Sequence, residues 1–271
     1  MAQVSSLDRE VASSIERNFV EFFRYWGSSP LVTIKDTGSL SWIDSGVTFS
    51  LFNHVFFTRL TIENMEKAIG ETLSHFRKRR LPMMWSVFPS SEPSGLRDQL
   101  LASGLKYHGN KPGMAMNMSG LDMRLTLPSG LRIDVVEGED DFLSFVEVTA
   151  RSFDVTEPDA RAFFRILCSL KASKPSSFVC YLGHLDNKPV ATGILFNAAD
   201  VSGVYWIGTV PEARGRGVGT WMTRKVMMDG REMGYGVAVL QATEMGEPVY
   251  RRIGFRDHLS YGLFSYDLSV Q

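Results

Sequence analysis

Two periods of hydrophobic and polar positions alternate along the chain. Residues 7–26 carry Ile15, Phe19, Phe22, Phe23 and Trp26 near helical spacing. That spacing predicts a helix with one apolar face, ended by Gly27-Ser28-Ser29-Pro30. Short apolar runs at 31–35 and 40–43 flank Asp36-Thr37-Gly38-Ser39, a turn composition, and read as strands. Residues 55–60 make a further strand. A helix is expected over 61–79, with Thr61 as N-cap. Its end, Arg77-Lys78-Arg79-Arg80, suits the negative pole of a helix better than it suggests a phosphate site. Residues 83–88 read as a strand, 94–103 as a helix, and 114–118 alternate as a strand does.

The second half repeats this order at greater length. Residues 131–136 begin it as a strand. Helical patterns follow at about 141–151 and 157–170, with Pro158 in the first turn of the second. Strands at 178–182 and 189–196 flank Asp186-Asn187, a hairpin signal. An apolar run at 204–209 leads to Arg214-Gly215-Arg216-Gly217-Val218-Gly219, which opens a helix reaching about Met233. A strand at 237–240 follows, then Tyr250-Arg251-Arg252-Ile253-Gly254-Phe255, and 258–268 are expected to supply closing strands. Leu100-Leu101-Ala102-Ser103-Gly104-Leu105 stands in the first half where Tyr250 to Phe255 stands in the second. The halves read as two divergent copies of one fold, 1–122 and 123–271, joined near 119–130. Between strand and helix the first copy has Leu60-Thr61-Ile62-Glu63 in place of glycines, and Leu100 in place of Tyr250.

A strand, a glycine turn and a helix together form an anion site. Glycines let backbone N–H groups turn inward and let a ligand come close, and the helix start adds free donors and partial positive charge. A pyrophosphate suits such a site. A dinucleotide fingerprint would need a third glycine where Thr220 stands, and an acidic residue closing the next strand. A nucleotide-binding P-loop would need Lys-Ser/Thr after its last glycine, but Gly219 is followed by Thr220-Trp221.

Arg214, Gly217 and Gly219 meet the pattern Gln/Arg-x-x-Gly-x-Gly/Ala, and Tyr250 lies shortly before Gly254-Phe255. These residues resemble the acetyl-CoA motif of the GCN5-related N-acetyltransferases, the GNAT superfamily, most clearly from about Leu131 onward. The resemblance implies an α/β (α+β) fold of two tandem GNAT-like domains, each a mixed twisted sheet flanked by helices. It implies that the second domain binds acetyl-CoA and the first is a degenerate copy that walls the acceptor site. Backbone groups of Ile207, Gly208 and Thr209 would line the pantetheine arm. Arg214, Gly215, Arg216, Gly217, Val218, Gly219 and Thr220 would hold the pyrophosphate. Thr243 stands where many members have asparagine. Tyr250 would protonate the leaving thiolate, for which a phenol of pKa ~10 facing a thiol of ~8.5 needs help from the site. Several members use a glutamate base on the strand before the glycines; here that strand offers Tyr205 and no carboxylate, so Glu244, at the end of the next strand, is the candidate base, acting directly or through water. The expected reaction is direct attack of a small-molecule or peptide amine on the thioester. A non-catalytic acyl-CoA sensor is the alternative.

Composition narrows the partners. Of the 271 residues 44% are hydrophobic and 22% charged, and 29 basic against 30 acidic residues leave a formal net charge of −1. That balance gives no support to a general nucleic-acid binder. The start lacks the apolar centre of a signal peptide, and no stretch approaches a membrane span. Cys168 and Cys180 form no framework, and the five histidines lack ligand spacing, so no metal is expected. A cytoplasmic monomer or homodimer is the expectation.

Overall fold

The computed structural model describes residues 6–121, 128–171 and 177–268. The chain runs through α1 (Ser6–Gly27), β1 (Thr33–Asp36), β2 (Leu40–Asp44), β3 (Asn53–Thr58), α2 (Ile62–Arg79), β4 (Met83–Val87), α3 (Leu96–Ala102) and β5 (Lys106–Asn117). It continues through β6 (Leu131–Val135), α4 (Glu139–Phe153), α5 (Glu157–Lys171), β7 (Phe178–Leu185), β8 (Lys188–Ala198) and β9 (Val201–Thr209). The last elements are α6 (Val218–Glu232), β10 (Val237–Gln241), α7 (Glu247–Ile253) and β11 (Arg256–Tyr266). This is the expected mixed α/β class. Two expectations change. The strand expected at 114–118 begins at Lys106, because its first half is partly exposed and carries Gly109 and Pro112, so no apolar alternation marks it. Residues 256–266 form one long strand rather than several short ones.

Two compact units divide the chain. The larger comprises the described residues within Met1–Asn18 and Gly113–His258; the smaller comprises those within Phe19–Pro112 and Leu259–Gln271. Each unit thus draws on both sides of residue 122. In the larger unit the strand order is β5–β10–β9–β8–β7–β6. β9 and β10 run parallel, and the remaining neighbours antiparallel. Helix α6 buries Val218, Met222 and Val226, spaced four apart on one face. A Cβ on Gly193 would meet Met222 at 2.9 Å, and one on Gly230 would meet Ser202 Oγ at 2.3 Å, so glycines bring this helix close to β8 and β9. On the other face Gly208 lies against Ser152 and Phe153 at the end of α4.

The smaller unit has the order β1–β2–β3–β4–β11, with β11 pairing β4 from Gly262↔Val87 to Tyr266↔Met83. One face packs α2 and α3 through Val55, Ile69, Phe76, Trp85, Leu100 and Phe264. The other carries Phe19 and Phe23 of α1 around His54, at 5.5 and 4.6 Å between ring centroids. Strand alternation sends Val55 to the first face and His54 to the second.

His54 is buried, and its Nε2 lies 2.8 Å from Ser86 Oγ. Burial pushes its pKa down to about 3. The folded imidazole is therefore neutral, while the unfolded chain takes up a proton below pH ~6.5. Stability is full above that value and is lost as pH falls toward 3. At pH 5 the loss is about 2 kcal/mol. Urea midpoints at pH 7 and pH 5 measure it, and His54→Gln should shrink the difference between them.

Among the described residues no helix is long and apolar enough to cross a membrane, and no group of His, Cys, Asp and Glu could hold a metal.

Candidate active site

The site begins where two parallel strands separate. β9 and β10 pair only at Ala238↔Ser202 and Val239↔Gly203. β10 stays with β5 through Gln241, while β9 runs on to Thr209 beside β8. The edge of β9 that faced β10 thus has no strand partner beyond Gly203 among the described residues. Backbone N–H and C=O groups on such an edge are ready for an extended ligand. Gln241 is the last residue of β10, and its Nε2 is buried without a hydrogen bond among the described residues. Ser152 Oγ, on α4 beside Gly208, is likewise buried and unpartnered.

A β-bulge reshapes the exposed side of β9. Thr192 pairs Gly208 and Ile194 pairs Tyr205, so Trp206 and Ile207 together oppose Gly193. Trp206 takes φ +50, strained for a bulky residue, and its carbonyl accepts the Thr192 hydroxyl at 3.1 Å. Neighbouring side chains on a regular strand point to opposite faces. Here Tyr205 and Trp206 share one: Tyr205 reaches Asn18, and Trp206 packs on Phe153 and Phe163 at 5.2 and 5.6 Å. Ile207 turns to the α6 face, close to Gly193. The strand therefore presents a half-buried aromatic wall and no carboxylate.

The glycine turn sits at the end of β9. Gly215 and Gly217 adopt φ +73 and +78, conformations that L side chains resist, which explains the residue type at both positions. Gly217 is the N-cap of α6 and provides no side chain to occupy the helix start. The first intrahelical bond there runs from Trp221 N–H to Gly217 O, so the N–H groups of Val218, Gly219 and Thr220 point outward. Gly219 faces Thr209 of β9, with Thr209 Oγ1 3.4 Å from where a Cβ would stand, an ordinary contact distance. Arg214 braces the turn, donating to Thr209 O at 3.0 Å and Ser152 O at 3.1 Å. Arg216 lies 3.8 Å from Asp186 on an exposed surface, a weak pairing that leaves its charge near the turn.

Tyr250 is the fourth residue of α7. Its ring folds back over Gly246, where a Cβ would meet Cε2 at 2.8 Å and Thr243 Oγ1 at 3.3 Å. The missing side chain at Gly246 is what lets the phenol lie beside Thr243. Thr243 itself accepts Gly246 N–H, at 3.2 Å on Oγ1 and 3.1 Å on its carbonyl. The Tyr250 hydroxyl has no hydrogen-bond partner among the described residues, and burial pushes its pKa up to about 12. A neutral, unused donor is therefore present throughout the neutral range. Glu244 lies exposed in the segment between β10 and α7.

The structure thus gathers Ile207, Gly208 and Thr209 with the Arg214–Thr220 turn at one end of β9, and places Thr243 and Tyr250 together after β10. Sequence reasoning missed Trp206, Ser152 and Gln241. The apolar run through 204–209 gave no sign of a bulge, and an orphaned hydroxyl or amide is visible only once its surroundings are packed.

Residues 136–257 match the family model described as an acetyltransferase (GNAT) domain. No curated protein matches. Among solved structures the chain is similar to a GCN5-related N-acetyltransferase from Kribbella flavida, with a TM-score of 0.66 and 19% identity over 97% of this chain and 96% of that one. It is similar to a GCN5-related N-acetyltransferase from Sphaerobacter thermophilus, with a TM-score of 0.63 and 14% identity over 98% and 93%. A tandem GNAT protein from the clavulanic acid biosynthesis pathway gives 0.55 and 11% over 99% and 97%. At these identities the likeness is one of fold, and it extends along nearly the whole chain.

Proposed function

We propose, from the premise that residues 136–257 form an acetyltransferase (GNAT) domain, that this protein moves an acetyl group from acetyl-CoA to an amine by direct attack. The observation that carries the reading is the fork between β9 and β10 with an uncapped glycine start of α6 at its end. Acetyl-CoA is a substrate here, and the residues present fit it. The free edge of β9 around Ile207 and Thr209 offers backbone partners to the amide-bearing arm. The N–H groups from Gly215 to Thr220 suit the pyrophosphate, with charge from Arg214 and Arg216.

In the reaction a C–N bond forms to the amine and the C–S bond breaks. The amine loses one proton, for which Glu244 is the candidate base, directly or through water. The thiolate gains one, from Tyr250. The acceptor is a small-molecule or peptide amine, and Trp206 with Phe153 would form part of its wall.

In the smaller unit the corresponding fork between parallel strands is filled among the described residues, which supports a single site per chain. β3 and β4 also pair in parallel at only two positions, His54↔Met84 and Val55↔Trp85. There the chain fills its own gap: Glu92 N–H donates to Thr58 O at 3.1 Å, and Leu60 N–H donates to Glu92 O at 3.0 Å. The start of α2 is closed as well, with Thr61 N–H on Asn64 Oδ1 at 2.9 Å. The Thr61 hydroxyl and its own N–H hold the Glu63 carboxyl below the ordinary range, placing a negative charge in that first turn. Leu100, in the place corresponding to Tyr250, is fully buried. We therefore read the first half as a degenerate copy that binds no CoA.

One observation favours the alternative, a non-catalytic acyl-CoA sensor. Tyr205 donates its proton to Asn18 at 2.8 Å, so β9 offers no base at all. Calorimetry with CoA, followed by an assay of thiol release from acetyl-CoA with a panel of amines, separates the two. We expect one CoA per chain and release with at least one amine class. Binding without release across the panel would favour the sensor, and a stoichiometry near two would contradict the single site.

A further inference from the structure

The geometry points to Tyr205 and Asn18 as a positioning pair that sets where β9 leaves β10, and so shapes the slot for the pantetheine arm. This rests on the acyl-CoA reading above. Asn18 is fully buried. Its Nδ2 donates to three carbonyls, Phe196 at 3.2 Å, Ala198 at 3.0 Å and Val201 at 3.5 Å, all at the closed end of the β8–β9 hairpin. Its Oδ1 accepts the Tyr205 hydroxyl at 2.8 Å. One carboxamide therefore ties the hairpin end to a point on β9 four residues further along.

The Tyr205 ring achieves this by leaning back along its own strand, over Gly203. A Cβ on Gly203 would come within 2.4 Å of the ring and 2.3 Å of Asn18 Oδ1. Gly203 is also the last residue of β9 to pair with β10, opposite Val239. The glycine, the ring and the carboxamide thus coincide with the point of separation. Immediately after the anchored residue comes the bulge at Trp206. An anchored Tyr205 holds β9 toward β8 at the position where a regular strand would continue beside β10. The pair's hydrogen bonds run to the hairpin end, at the far end of β9 from the glycine turn, so its effect should fall on the arm more than on the phosphate site.

The test uses the full chain and two ligands, CoA and 3′-phosphoadenosine 5′-diphosphate, which keeps the nucleotide end without the arm. Tyr205→Ala should weaken CoA by about tenfold or more and leave the nucleotide within about twofold. Tyr205→Phe keeps the leaning ring but cuts the hydroxyl tie to Asn18, so it should show a smaller loss that is still confined to CoA. A merely structural role would weaken both ligands in parallel, and that result overturns the proposal, as does unchanged CoA affinity in the Ala variant. Should Tyr205→Ala fail to melt cooperatively, Gly203→Ala replaces it, since its methyl displaces the ring and the carboxamide together. The same arm-selective loss is then expected, and either a parallel loss or none overturns the idea. A wild-type chain that binds neither ligand would overturn the acyl-CoA reading itself, a result distinct from any of these.

Discussion

Gly217→Val should remove measurable CoA binding from a chain that still folds. Gly217 sits at φ +78, and the space around it is open, with Pro128 Cγ the nearest atom to an added Cβ at 3.7 Å. The obstacle is conformation. A non-glycine residue in this region costs about 1–2 kcal/mol, and a β-branched one resists it most. Either the chain bears that strain, which a typical stability of about 5–15 kcal/mol tolerates, or the turn moves. Movement swings the N–H groups of Val218 and Gly219 off the phosphates. Two lost hydrogen bonds to a charged group, at about 1.5–3 kcal/mol each, correspond to about 10²–10⁴-fold in affinity. Gly104→Ala is the control. It introduces a side chain at φ +88, also in open space, but in the smaller unit, and should leave CoA binding intact. A folded Gly217→Val protein with wild-type affinity by calorimetry would remove the glycine turn from the site.

Tyr250→Phe should keep CoA affinity and lower turnover by about 10²–10⁴-fold, the usual contribution of a positioned acid. The hydroxyl has no hydrogen-bond partner among the described residues to orphan, so the variant should fold as the wild type does. With its pKa near 12 the phenol stays protonated in any ordinary assay. Wild-type kcat/KM should therefore rise with pH as the amine loses its proton, with no fall up to about pH 10. A phenol of pKa about 12 is a weaker acid than a free thiol. The same desolvation raises the pKa of the departing thiolate, which narrows the gap. Burial also links Tyr250 to stability: the unfolded phenol ionises near pH 10, so stability is full below that value and is lost as pH rises toward 12. If chemistry limits turnover and the Phe variant matches the wild type, another group protonates the sulphur.

The parts of this site that were legible in the sequence are those where backbone conformation dictates residue type. Gly215 and Gly217 are glycines because their φ values are positive, and a reader of the sequence can reverse that inference. The likeness of the two short helices has the same origin. Leu105 N–H donates to Leu100 O at 3.1 Å and Phe255 N–H to Tyr250 O at 3.0 Å, each across a glycine of positive φ, at Gly104 and Gly254. The helix ends recur because the cap demands a glycine. What stayed hidden has no such local signature. Trp206 adopts φ +50 without being glycine, so the bulge leaves no mark in the composition. The plug at Glu92 is made by backbone groups that any residue supplies. The partners of β5 and β11 are equally silent, since an antiparallel strand of suitable length fits beside either β4 or β10.

That last pairing has a consequence for synthesis. A ribosome delivers residues 19–112 well before residues 259–266, yet the smaller unit needs both. While the second half is being made, β4 waits with one edge unpaired, carrying Met83, Trp85 and Val87, all buried in the finished protein. An apolar strand with a bare edge is a site for pairing with other chains. The nascent protein thus passes through a stage more prone to aggregation than either its finished state or its composition suggests, and slower elongation through the second half would prolong it.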